Sequence, residues 1–122
     1  MAEPALNLER FLENFGDLGE GMHQIIRSFL AGYPLSLDRI ARAIADHDAV
    51  ELLASAHALK GSAAQMFAEP ATQLASRIEK IGSSGTTEGA LAILGELTAE
   101  LARLRTGLEG VARDDSLSKP QD

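Results

Sequence analysis

His57, Lys60 and Gly61 fall within five residues of one another in the run Ala56-His57-Ala58-Leu59-Lys60-Gly61-Ser62. Leu52, Ala56, Leu59, Ala63 and Met66 recur at intervals of 4, 3, 4 and 3, the stripe of a helix facing a core. At about 100° per residue, His57 lies roughly 140° from the centre of that stripe. Its own row holds Val50, Leu53, His57, Gly61 and Ala64, small or apolar residues on a face that should point outward. Two readings follow. Either the helix is buried on two sides and His57 is a packing residue, or the row is a docking surface with a reactive imidazole at its centre. A glycine inside a helix costs about 1 kcal/mol relative to alanine. In a chain this rich in alanine, Gly61 therefore needs a reason. Close helix–helix approach is one. Space for something bulky on the ring of His57 is the other. An imidazole with a free slot and an ammonium one turn along suits carriage of a phosphoryl group, whose charge Lys60 would offset.

The elements that must position this row are helical. Alanine (20) and leucine (18) dominate, five residues are aromatic and none is Trp. Ala and Leu lose little on entering a helix. Leu6, Leu8, Phe11, Leu12 and Phe15 predict a short amphipathic helix with Asn7 as its cap, interrupted by Gly16 and Gly19. A longer pattern runs from about residue 20 to 46. Met22, Ile25, Ile26, Phe29, Leu30 and Tyr33 face inward, and Leu37, Ile40, Ala41 and Ile44 continue that face. Pro34 predicts a kink or short break near 32–35. Asp46-His47-Asp48 reads as a tight turn, and Asp48 with Glu51 has the form of a capping box. The helix of His57 should span about 49–67. Another begins at Ala68-Glu69-Pro70, has the face Phe67, Ala71, Leu74, Ile78 and Ile81, and ends at Gly82-Ser83-Ser84-Gly85. Thr86 or Thr87 would cap the last helix, which carries Leu91, Leu94, Leu97, Leu101, Leu104, Leu108 and Val111. The expected fold is all-α: an antiparallel up-down-up-down four-helix bundle with a short additional N-terminal helix. Residues 1–5 and 113–122 are expected to be flexible ends around one domain at 6–112.

Composition removes several function classes. The net charge is −7, which disfavours general nucleic-acid binding and anionic membranes. Cysteine is absent, which excludes disulfides, thiolate metal sites and thiol catalysis and fits a reducing, cytoplasmic setting. His23 and His47 read as surface or helix-end residues. The three histidines are spaced 24 and 10 apart, so no helix-borne metal pair is expected. No glycine-rich nucleotide loop occurs, so a kinase would have to act upstream.

The run from Ala56 to Ala64 resembles the A-H-x-L-K-G-S signature of histidine-containing phosphotransfer (HPt) domains. Ile78-Glu79 resembles that family's L-E pair on the following helix. The resemblance implies that His57 accepts the phosphoryl group, that Lys60 neutralises it and that Gly61 opens the surface. It places Gln65 near the rim of the docking surface that Val50, Leu53 and Ala64 of the outward row would form, with Glu79 either hydrogen-bonding the imidazole or standing as a surface charge. It implies shuttling between aspartates of response-regulator receiver domains, fed by a sensor or hybrid histidine kinase. Any Mg ion would come from the receiver, the chain itself needing no cofactor. The expected carrier is a monomer, free-standing or else part of a larger hybrid kinase. A non-catalytic helical adaptor using the 50–64 face is the alternative. The sequence departs from the family at Phe67, where glycine is usual, which bears on the turn after this helix.

Overall fold

A computed structural model describes residues 3–114. Met1, Ala2 and residues 115–122, which include most of the tail expected from 113 onward, lie outside the described residues. All regular structure among the described residues is helical: α1 (Leu8–Phe15), a 3₁₀ turn (Gly16–Leu18), α2 (Glu20–Ala45), α3 (Ala49–Gln65), α4 (Glu69–Ser83) and α5 (Ala90–Arg113).

The Asn7 side chain accepts the backbone N–H of Arg10 at 3.1 Å and caps α1. Such a cap is worth about 1 kcal/mol. It lets a helix of only eight residues bring Phe11 into full burial. Gly19, at φ 59°, takes the left-handed turn from which α2 starts.

Of the kink or short break expected near Pro34, the break does not occur: α2 runs unbroken through the proline. Proline has no N–H to offer the carbonyl four residues back, here that of Leu30. Arg105 of α5 fills the gap. Its Nη2 donates to the Leu30 carbonyl at 3.1 Å, and its Nε donates to the Tyr33 hydroxyl at 2.9 Å. The inward face also shifts beyond the proline, since Ala43 rather than Ala41 is buried beside Ile40.

Between α2 and α3 the chain turns through His47, at φ 55°. Asp48 accepts the Glu51 N–H at 3.0 Å, which is one half of the expected capping box. The other half is replaced. The Asp48 N–H goes to the Ala43 carbonyl, and the Glu51 carboxylate pairs with Arg39 of α2 at 2.6 Å.

Helix α3 stops at Gln65, two residues short of the expected end, because Phe67 enters the left-handed region at φ 58°. A phenylalanine thus adopts the conformation that glycine accepts without cost. Three contacts hold it there: its carbonyl accepts the Asn7 N–H at 2.9 Å, its ring packs on Phe15, and the Arg10 guanidinium lies over that ring at 5.0 Å.

Helix α4 ends at Ser83, within the expected Gly82-Ser83-Ser84-Gly85 stop, and Gly82 is buried inside its last turn. One further boundary moves. Gly89, at φ 84°, starts α5 in place of Thr86 or Thr87. Thr86 instead accepts the Glu88 N–H within the loop.

Helix α2 packs on α3 and α5, and α4 packs on the same two. Leu52, Leu59, Ile78, Leu97, Leu101, Leu104 and Leu108 fill the space between them. Leu91, assigned to that face from its spacing, is 67% exposed, because Ala90 rather than Leu91 takes the inward position in the first turn of α5. No helix among the described residues is long and apolar enough to cross a membrane.

Candidate functional site

Helix α3 turns its Leu52–Ala56–Leu59–Ala63 stripe fully inward. Rotation by the helical period then carries the opposite row into solvent. Val50 is 78% exposed, the His57 side chain 69%, and Leu53, Gly61, Ala64 and Gln65 are exposed as well. His57 is therefore not a packing residue.

The two glycines divide the roles that Gly61 alone was offered. A Cβ built on Gly61 meets nothing within 4 Å, so close helix approach does not explain it. A Cβ on Gly82 would lie 2.7 Å from the Leu53 nitrogen and 2.9 Å from the Ala49 carbonyl oxygen. Gly82 is thus where α4 comes against α3. One turn earlier on α4, that approach places Glu79 beside His57 and Lys60.

Glu79 joins the two. Its Oε2 is hydrogen-bonded to His57 Nδ1, and its Oε1 accepts from Lys60 Nζ at 2.6 Å. The Glu79 side chain is only 15% exposed and that of Lys60 31%. The surface-charge reading of Glu79 therefore falls. The Lys60 hydrogen bond holds the Glu79 carboxyl below its ordinary value; partial burial opposes this and His57 adds to it. A carboxylate can only accept, so His57 Nδ1 carries the hydrogen. In the neutral ring the free lone pair then sits on Nε2.

Beside this row, between α2 and α3, lies a groove of about 350 Å³. Ser28, Gly32 and Ser36 of α2 line one wall; Ser62 and Gln65 of α3 line the other. The α2 wall went unread in the sequence. Its signal was three small residues at intervals of four, which keep to one helical side. His23 and His47 stand apart from the site, on α2 and in the turn after it. No group of three or more His, Asp or Glu able to hold a metal occurs among the described residues.

A family model for the Hpt domain matches residues 8–107, from the start of α1 to the last third of α5. The chain belongs to the Hpt domain family. No curated protein and no solved structure gives a significant match. Hpt domains are phosphocarriers that pass phosphoryl groups on histidine between histidine kinases and receiver domains in two-component phosphorelays. In this Hpt domain the imidazole of the signature run is exposed and joined to a neighbouring helix through Glu79. The departure at Phe67 leaves the turn after α3 left-handed, so the backbone there follows the path glycine would take.

Proposed function

We propose that this Hpt domain takes a phosphoryl group on Nε2 of His57 from the aspartyl phosphate of a receiver domain and passes it to the aspartate of a second receiver. The carrying observation is the exposed ring of His57, tied through Nδ1 to Glu79. The tie fixes the tautomer, so the nucleophilic lone pair faces the visitor. Phosphoryl transfer needs positioning and charge stabilisation more than proton chemistry. One aligned imidazole therefore suffices on this side. Lys60 offsets the incoming charge, and the open space at Gly61 admits the receiver. Val50, Leu53, Ala64 and Gln65 form the docking rim. The reading assigns the Mg ion and its acidic ligands to the receiver. It takes the carrier as a cytoplasmic monomer whose α2–α5 run up-down-up-down. The reversed pairings Arg39–Glu51, Gly82 with Ala49 and Leu53, and Arg77–Glu96 support that order.

Incubation with a phosphorylated receiver tests this. The protein should take up acid-labile, alkali-stable label, and His57→Gln should abolish it with helicity unchanged. Label persisting in His57→Gln would remove His57 as the acceptor. Stable binding without label would leave a non-catalytic adaptor.

A further inference from the structure

Both oxygens of Glu79 are engaged, one by the imidazole and one by the ammonium of Lys60. In this state Lys60 is not free to meet a phosphate. Nδ1 and Nε2 lie on opposite sides of the ring, so an ammonium centred on Glu79 is not centred on a group bound at Nε2. Lysine has a flexible four-carbon stem with rotatable donors, and Lys60 stands one turn from His57 on the same helix. With a neutral ring, His57, Glu79 and Lys60 sum to zero charge. A phosphoryl group carries about −1.5 to −2 on its oxygens; because Nδ1 keeps its hydrogen the ring becomes cationic, so the net addition is roughly −1.

We propose that Lys60 is docked on Glu79 while His57 is bare and crosses to the phosphoryl oxygens when His57 is loaded, so that the Lys60–Glu79 pair sets how readily the group leaves. This rests on the phosphocarrier reading. In the loading step the Nε2 lone pair forms the N–P bond as the O–P bond of the receiver's aspartyl phosphate breaks, its electron pair leaving with the carboxylate. Nδ1 keeps its hydrogen against Glu79, and no proton moves. In unloading, the N–P bond breaks and the imidazole departs with its pair on Nε2. A contact present only in the bare state must be given up on loading, so it favours departure by its own strength. Glu79 is here a positioning residue: it acts through Lys60 and the ring, not on the phosphorus.

The test is the equilibrium division of phosphoryl label between one receiver and four forms of this protein: wild type, Glu79→Gln, Lys60→Met and the double variant. Glutamine keeps a carbonyl for the Nδ1–H but releases the ammonium. Glu79→Gln should shift label toward His57 by about three- to fivefold more when Lys60 is present than in the Lys60→Met background, the range of a partly exposed ion pair. Equal shifts in both backgrounds would overturn the proposal. In wild type, NMR contacts between the Lys60 ε-methylene and the Glu79 γ-methylene should vanish on phosphorylation. Their persistence in the loaded protein would overturn it independently of any variant. No label at His57 in any of the four proteins would fail the phosphocarrier reading itself, a result distinct from equal shifts.

Discussion

At Glu79 a single carboxylate fixes an imidazole and an ammonium from the neighbouring helix. Its carboxyl titrates below the ordinary value of 4.5, chiefly because of Lys60. A carboxyl lowered by folding stabilises the fold above its unfolded value, and that share is lost as pH falls through the lowered folded value. Urea unfolding of wild type and Glu79→Gln should therefore show a stability gap at neutral pH that closes in acid. A gap still open at about pH 2, below the carboxylate range, would refute the ion-pair origin. The sequence made His57, Lys60 and Gly61 legible because all three lie on one α-helix, where period alone gives direction. Glu79 was only half legible. It lies 22 residues from His57, and its reach depends on how closely two helices approach.

At the scale of the elements, the two helix-interior glycines should respond oppositely to alanine. Gly61→Ala adds a methyl to open space and gains helix propensity, so thermal unfolding should report a rise of about 0.5–1 kcal/mol. Gly82→Ala drives a methyl into the backbone of α3 and should cost about 2 kcal/mol despite the same propensity gain. Equal responses would mean that α3 and α4 are not in close contact at this point. Phe67 gives a second reversal. Alanine there loses the ring contacts and keeps the left-handed strain, whereas glycine loses the ring and relieves the strain. Phe67→Gly should be more stable than Phe67→Ala by about 1 kcal/mol in urea midpoints; the opposite order would show that the turn does not hold this conformation. Helix positions were readable from apolar spacing. The end of α3 was not, because a phenylalanine took a glycine conformation, nor was the packing role of Gly82 inside α4, which depends on a second helix.

Over the whole molecule, Arg105 joins α5 to α2 where the proline leaves a carbonyl unserved. Arg105→Met should cost about 2 kcal/mol in wild type, for its bonds to Leu30 and Tyr33, and about 1 kcal/mol less in a Pro34→Ala background, where the helix can satisfy Leu30 itself. Equal costs in the two backgrounds, by denaturant unfolding, would separate Arg105 from the proline. Of the kink or short break expected at residues 32–35, the break is absent for this reason: the proline's remedy lies 75 residues along the chain from Leu30, beyond the reach of local pattern. Charge is likewise distributed by surface. The chain has 18 acidic residues, yet none falls between Glu51 and Glu69. The α3 surface around His57 thus carries no carboxylate of its own to repel an incoming phosphate, and Glu79 reaches the ring from α4.

Gly82 lies three residues beyond Glu79 on α4. The bare hydrogen on its Cα sets the clearance across which the imidazole and its carboxylate meet. A single methyl there would act as a spacer shim, prising the reactive pair apart from a position that never touches either member.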